Sequence, residues 1–240
     1  MLFIRLLIAH WIGDFFLQPS RWVKARDEHG WKAPQLYLHL CIHILLAWLL
    51  SYRLDFWSWA IGLGAVHGLI DIGKYFAKRS LHMPDGGLFL ADQLLHILSL
   101  WIAARWYMHQ PWFESRWMTP SLFVWIAAML FLTLPCSMLI RVWIARWTPQ
   151  VRDKASLLHV GQWIGMLERI LILWFVVLGQ WQGVGFLFAA KSIFRFGDLK
   201  DAHDRQLTEY VMVGTLLSFT LAIAIGLLAA HALQNINGSI

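Results

Sequence analysis

The 240-residue chain is poor in charge, since only 14% of its residues are Asp, Glu, Lys or Arg, whereas 59% are hydrophobic. Soluble domains carry about 25% charged residues. So little charge argues against a soluble enzyme, and so much apolar residue excludes a disordered chain. The composition predicts an all-α, polytopic transmembrane bundle, because each spanning helix needs about 20 consecutive apolar residues. The 16 Trp agree with this class, because Trp collects at membrane interfaces.

Cysteine is scarce, and a signal-peptide cleavage motif is missing. Cys41 and Cys136 both lie in apolar segments, which predicts two buried thiols rather than a disulfide. The first 18 residues look like a signal peptide, but they lack a small-residue cleavage site and contain His10 and Asp14. We therefore expect a retained first membrane helix.

Apolar runs with few helix breakers predict about eight membrane segments. The seventh is short and is either re-entrant or a half-helix. The polar stretch 109–120 favours a single membrane domain with two halves, 1–115 and 116–240, each with four segments. The segments cover residues 2–18, 35–52, 57–77, 88–107, 120–141, 157–180, 183–194 and 208–233.

Basic residues are distributed unequally between alternate loops. Thirteen Lys and Arg lie in the loops after segments one, three, five and seven, and three lie in the loops on the opposite side. The positive-inside rule then places the first set in the cytoplasm and both termini outside. We expect an inner-membrane protein whose partner is the lipid bilayer. The net charge of +6 is explained by these loops, so no nucleic-acid partner is expected, and the oligomeric state stays open.

Each of the first four segments contains a pair of ionisable residues four positions apart. This spacing places both side chains on one helix face. The expected topology also puts all four pairs in the cytoplasmic half of the membrane, and nothing in the spacing forces that agreement. The pairs are His10 and Asp14, His39 and His43, His67 and Asp71, and Asp92 and His96.

The four pairs predict a metal site. An ionised Asp at the centre of a membrane helix costs about 2.5–3.5 kcal/mol on insertion scales, and Lys74 is the nearest basic residue in these segments. Five His and three Asp suit Zn²⁺, Mn²⁺ or Fe²⁺, and helical bundles build two-metal sites from facing helices. We expect one or two ions, with Gln93 and Lys74 as supporting residues outside the direct ligands. The alternative is a structural polar clamp between helices.

A two-metal centre favours hydrolysis, because two ions can generate hydroxide and stabilise the attacking and leaving oxygens. The substrate would be a phosphoester, ester or amide that is lipid-linked or close to the cytoplasmic leaflet, and no catalytic residue is assigned. Three other functions stay open. They are a metal-ion or proton transporter or channel, a b-type haem protein and a non-catalytic protein with a structural metal.

A second polar cluster is predicted in the C-terminal half. Opposite charges buried in lipid usually pair, which favours an ion-pair network between segments six to eight. The other interpretation is a binding site for an anionic substrate headgroup. The cluster consists of Glu168, Arg169, Lys191, Arg195 and Glu209.

Six motifs resemble the DUF3307 family of bacterial integral membrane proteins, whose name implies no activity. The motifs are AHWIGDFFLQ (9–18), VHGLIDIGKY (66–75), ADQLLH (91–96), GMLER (165–169), AKSIFRF (190–196) and EYVMVGTLLS (209–218). They occur in both halves of the chain, so the resemblance extends over its full length. The His/Asp pairs are similar, more loosely, to those of membrane-bound metal-dependent hydrolases, and this resemblance implies hydrolase chemistry.

Overall fold

The computed structural model describes residues 1–80, 85–107, 119–145, 155–196 and 202–237, and every regular element within these ranges is a helix. The helices are α1 (Leu2–Trp11), α2 (Ser20–His29), α3 (Pro34–Ser51), α4 (Trp57–Ser80), α5 (Asp85–Tyr107), α6 (Pro120–Leu132), α7 (Leu134–Ile144), α8 (Ala155–Val177), α9 (Trp181–Phe196) and α10 (Ala202–Asn237). The chain is therefore all-α, as predicted.

The chain forms two compact units, Met1–Phe123 and Val124–Ile240. In the first unit, α1 packs against α3 and α5, while α4 also packs against α3 and α5, so these four helices form a closed ring. In the second unit, α10 packs along α8 and α7, and α9 packs against α8. The predicted boundary between residues 115 and 116 lies outside the described residues.

Helix α3 shows how the bundle helices are oriented. Its buried face carries His39 and His43, whereas Leu38 and Leu45 on the opposite face are at least half exposed. Polar side chains inside and apolar ones outside are the reverse of a soluble bundle and fit a surface that faces lipid. Cys41 lies on this outer face and is exposed, so the prediction of two buried thiols is correct only for Cys136.

Four helical stretches are long and apolar enough to cross a membrane. They are Pro34–Ser51, Asp85–Tyr107, Pro120–Ile144 and Glu209–Ile236. The expectation of about eight membrane segments is not supported by these lengths and compositions. The seventh predicted segment is the 16-residue α9, and α4 carries charged residues through its second half.

The stretch expected to be a loop after the first segment contains helix α2. Lys78 on α4 forms an ion pair with Asp27 on α2, with 3.1 Å between Nζ and Oδ2. Gly30 ends α2 with a φ of +58°, which glycine adopts without steric cost. A Cβ there would also lie 2.6 Å from the ring of Tyr75. The prediction missed α2 because its sequence has no apolar run, and its stability depends on contacts with α4.

The connection between α3 and α4 contains a polar cluster. Asp55 accepts hydrogen bonds from the Tyr107 hydroxyl and from the Arg53 guanidinium. These bonds lower the pKa of Asp55 below its ordinary value. The cluster therefore links the end of α3 to the end of α5 with an ionised carboxylate.

The predicted segment 120–141 is broken into α6 and α7 at Thr133, whose backbone is not helical. Pro135 follows in the first turn of α7, where its missing N–H is tolerated. Carbonyl groups at the break accept hydrogen bonds from the buried Arg169 of α8. The distances are 2.6 Å from Nε to the Leu132 oxygen and 3.2 Å from Nη2 to the Thr133 oxygen.

Two serines complete the environment of this guanidinium. Arg169 donates to the hydroxyl of Ser137 on α7 at 2.6 Å and to that of Ser218 on α10 at 3.2 Å. One side chain thus ties α7, α8 and α10 to the helix break.

We expect Arg169→Met to destabilise the protein by about 2–4 kcal/mol, because buried carbonyl and hydroxyl groups would lose charged donors. Unfolding in detergent micelles measures this loss. The control is Arg141→Met, because Arg141 is exposed and makes one 3.4 Å hydrogen bond to Gln162. Equal stability of the two variants would contradict the role given to Arg169.

Candidate metal centre

The ring of α1, α3, α4 and α5 brings the four predicted pairs into one cluster. His10, His39 and His96 are no more than 2% exposed. The other members are also buried, apart from the Asp14 side chain, which is 12% exposed. We call this set the His/Asp cluster. It consists of His10, Asp14, His39, His43, His67, Asp71, Asp92 and His96.

Asp14 lies at the centre of the cluster because α1 continues into a π-helical turn, Ile12–Phe16. Such turns are rare and occur often at functional sites. The Nε2 atoms of His39, His43 and His67 lie 3.3, 2.9 and 3.6 Å from Oδ1 of Asp14. Zn–N and Zn–O distances are about 2.0–2.2 Å, so tetrahedral ligand atoms lie about 3.4 Å apart. Each of the three nitrogens therefore lies within about ligand spacing of this carboxylate oxygen.

Two of the three carboxylates have a cationic partner on one oxygen only. Oδ1 of Asp71 lies 2.8 Å from the guanidinium of Arg26, and Oδ2 of Asp92 lies 2.9 Å from Nζ of Lys74. The second oxygens, Oδ2 of Asp71 and Oδ1 of Asp92, are buried and accept no hydrogen bond from any described residue. Each ion pair thus fixes a carboxylate and leaves one oxygen available to a ligand.

Arg26 is a member of the site that the sequence analysis assigned to a cytoplasmic loop. It lies on α2 and is 7% exposed. Burial disfavours its charge, but the carboxylates of Asp71, Asp92 and Asp14 outweigh burial and raise the pKa of Arg26. Nothing in the spacing of a polar stretch signals such a contact, because it depends on how α2 folds back against α4.

Gln93 and Lys74 lie beside the cluster, where the sequence analysis expected supporting residues. Nε2 of Gln93 donates to Oδ2 of Asp14 at 3.1 Å and to Oδ2 of Asp92 at 3.3 Å. Gln93 thereby joins carboxylates from α5 and from the end of the first helix. Lys74 has a side chain that is 23% exposed and therefore lies at the rim.

The donor atoms fall into three overlapping groups, and within each group they lie within 4.8 Å of one another. The first and second groups share His67, and the second and third share Asp71, so the three groups adjoin one another. Three groups in one cluster offer room for more than one ion. The groups are His10, Asp14, His43 and His67; His39, His67 and Asp71; and Asp71, Asp92 and His96.

A small cavity of about 20 Å³ adjoins the histidines. Its polar wall is formed by His10, His43, His67 and His96. This volume is enough for one water molecule or one ion. Its other wall is apolar and consists of Leu6, Ala9, Ala47, Leu63 and Leu100, with Gly64 and Ser99 beside them.

Part of the second predicted cluster lies within the described residues. Glu168 and Lys191 form an ion pair, whereas Arg169 bonds to carbonyl and hydroxyl groups at the break between α6 and α7. Glu209 is exposed on α10, and the side chain of Arg195 lies outside the described residues. The hydrogen bonds of Arg169 to neighbouring helices explain why this charged side chain is buried.

Outward-facing apolar helices around a buried polar cluster define a helical membrane protein. The chain belongs to the DUF3307 family, described as a protein family of unknown function, whose model matches residues 2–124. That range contains the whole His/Asp cluster and ends beside the boundary of the first unit. The three C-terminal motifs, from residue 165 onward, lie outside it. No curated protein and no solved structure matches the chain.

Gly13 provides a test of the cluster geometry. A Cβ at this position would lie 2.4 Å from Nε2 of His43, so Gly13→Ala must displace that ring. We expect the affinity for Zn²⁺, measured by competition with a chromogenic chelator, to fall about tenfold or more. Gly62→Ala on α4 is the matched control, because its Cβ would meet no atom within 4 Å. Equal affinities in the two variants would contradict the geometry.

Proposed function

We propose that this protein is a metal-dependent hydrolase of the bacterial inner membrane. Its His/Asp cluster would bind one or two Zn²⁺, Mn²⁺ or Fe²⁺ ions and cleave a phosphoester, ester or amide near the cytoplasmic leaflet. One observation carries the proposal. Buried nitrogen and oxygen atoms that could bind a metal, and that have no hydrogen-bond partner among the described residues, come from α1, α3, α4 and α5 and lie in one cluster.

The energetics support a bound cation. Several buried polar atoms of the cluster make no hydrogen bond to any described residue. They are the two ring nitrogens of His10, the two ring nitrogens of His96, Oδ2 of Asp71 and Oδ1 of Asp92. Each buried polar group left unsatisfied costs about 1–3 kcal/mol. A divalent ion with its bound water would satisfy most of these atoms at once.

The donor groups differ in the number of ligands that they offer. His10, Asp14, His43 and His67 provide four donors, which completes a tetrahedral site. The group of Asp71, Asp92 and His96 provides three donors. Catalytic zinc sites keep three protein ligands and a water. The group of His39, His67 and Asp71 also provides three donors, but it shares His67 with the four-donor group. We therefore assign the bound, activated water to the group of Asp71, Asp92 and His96.

The surrounding residues have separate tasks in this proposal. Arg26 and Lys74 hold the two carboxylates, so each presents its second oxygen to the ion. Gln93 fixes the relative positions of Asp14 and Asp92. A bound metal would lower the pKa of its water and supply hydroxide at neutral pH. Lys74, at the partly exposed rim, would bind an anionic oxygen of the substrate.

Charge placement supports a site at the cytoplasmic end of the bundle. The second half of α4 meets α2 through Lys78 and Asp27, and Arg79 donates to the carbonyl of Glu28 at 3.2 Å. Basic and acidic residues thus gather at the end of the bundle closest to the His/Asp cluster. With the positive-inside rule, this end lies in the cytoplasm and the N-terminus lies outside. In this topology α1 with its π-helical turn, and α4, also cross the membrane.

Features of the first unit disfavour two of the other functions. Beside the cluster, Leu6, Phe56 and Ala60 are fully buried in an apolar core, which disfavours passage of an ion through this part of the first unit. The 20 Å³ cavity is far smaller than the roughly 300 Å³ or more of pockets for organic cofactors, which disfavours haem. Only a measurement of turnover distinguishes a structural metal from a catalytic one.

Elemental mass spectrometry of purified protein, together with a hydrolysis assay, tests the proposal. We expect roughly one to two transition-metal ions per chain, and His96→Gln should lower both metal content and turnover of chromogenic phosphodiester or ester substrates, turnover by about 100-fold or more. His29→Gln is the matched control, because His29 is exposed on α2.

Metal-free protein that is folded would overturn the metal site. Metal at full occupancy, with no turnover on any phosphoester, ester or amide probe, would overturn the hydrolase assignment and leave a structural metal.

A further inference from the structure

An apolar groove runs along the outer surface between α4 and α5 and reaches the His/Asp cluster. Its volume is about 430 Å³, and its walls include Val66, Leu69, Gly73, Leu88 and Leu95. Lys74 and Asp92 also line it. The ion pair that fixes Asp92 is therefore part of both the cluster and the groove.

The dimensions of the groove match a lipid tail. Its lining on α4 extends from Val66 to Ala77, which corresponds to about 16 Å at 1.5 Å per residue. The hydrocarbon of one leaflet is about 15 Å thick, half of the 30 Å bilayer core. Leu69 and Leu95 on its walls are 68% and 50% exposed, so the groove opens towards the surrounding lipid.

The two ends of the groove differ in polarity. The part towards Val66 and Leu95 is apolar, whereas Lys74 lies one turn from the end at Ala77. A lysine ammonium has three donors, and Asp92 accepts one of them at 2.9 Å. Lys74 can therefore bind a phosphate oxygen while it keeps its contact with Asp92.

A second outer groove of about 250 Å³, between α3 and α4, provides an internal comparison. It is lined by Cys41, Ile44, Leu45, Trp48, Trp57 and Ile61 and has no charged side chain. Of these two grooves, the one between α4 and α5 combines an apolar channel with a cation at the edge of the His/Asp cluster. This combination fits an amphiphile with an anionic headgroup.

We propose that the groove between α4 and α5 binds a membrane phospholipid, with its acyl chain along Val66, Leu69 and Leu95 and its phosphate on Lys74. The groove would deliver the headgroup sideways from the cytoplasmic leaflet to the donor group of Asp71, Asp92 and His96. The substrate class would then be a phospholipid, with its phosphoester at the metal centre. This substrate assignment depends on the proposed hydrolase function, whereas the binding site itself does not.

Gly73 and Gly62 provide a matched pair of groove variants. Both lie on α4, and a Cβ at either position would meet no atom within 4 Å, so a side chain can begin at both without a clash at its first atom. Only Gly73 lines the groove. Gly73→Leu fills the channel beside Lys74, and Gly62→Leu leaves it open.

The experiment is native mass spectrometry of detergent-solubilised protein titrated with phosphatidylglycerol, phosphatidylcholine or diacylglycerol. We expect wild type and Gly62→Leu to retain phosphatidylglycerol, with weaker retention of phosphatidylcholine and weakest of diacylglycerol, which has no phosphate. Gly73→Leu should retain phosphatidylglycerol about tenfold less well. Lys74→Met should abolish the preference for phosphatidylglycerol over diacylglycerol.

Equal lipid retention by Gly73→Leu and Gly62→Leu would overturn the site, and so would equal retention of diacylglycerol and phosphatidylglycerol by the wild type. A changed oligomeric state in Gly73→Leu with unchanged lipid retention would also overturn it, because the groove would then be a helix-packing surface. Retention is measured on chelator-treated and on metal-loaded protein. Failure of the metal site is therefore recorded separately from failure of the groove.

Discussion

Three carboxylates, those of Asp14, Asp71 and Asp92, lie inside a bundle whose outer surface is apolar, and the first unit depends on compensating their charge. Burial of an unpaired carboxylate is so costly that the group must be paired, protonated or bound to a cation. Arg26 and Lys74 compensate Asp71 and Asp92 directly. The hydrogen bonds of Asp14 come from the imidazole of His43 and the amide of Gln93.

This constraint explains features that would otherwise be unrelated. Helix α2 folds back against α4 and brings a buried guanidinium to Asp71. The π-helical turn places Asp14 among three imidazole nitrogens, and Gly13 leaves room for the ring of His43. Apolar residues such as Leu6, Leu63 and Leu100 pack beside the histidines of the cluster. A bound metal would complete the same scheme, because it would supply positive charge to Asp14 and bind the free oxygens of the other two carboxylates.

The four bundle helices α1, α3, α4 and α5 and the members of the His/Asp cluster could be predicted because both follow from local periodicity. A polar pair such as His67 and Asp71 is visible as an interruption of an apolar run, and its spacing fixes its helix face. The ion pair between Arg26 and Asp71 could not be predicted, because it joins residues 45 positions apart through a helix with no apolar run. The break at Thr133 was also missed, since the apolar pattern continues through it.

The expectation of about eight membrane segments is not supported for a related reason. An apolar run does not report helix length, so the 16-residue α9 gives the same sequence signal as the 36-residue α10. Depth within the bundle was inferred from topology alone, whereas the actual convergence of the four pairs depends on the closed packing of α1, α3, α4 and α5. That packing is what makes the cluster a candidate metal centre rather than four separate polar clamps.

X-ray absorption spectroscopy of the purified, metal-containing protein tests this account most directly. The account predicts a first shell of only nitrogen and oxygen at about 2.0–2.2 Å, with the outer-shell scattering of several imidazoles, which should weaken in His67→Gln. A shell that contains sulfur at about 2.3 Å, or a spectrum without imidazole scattering, would contradict it.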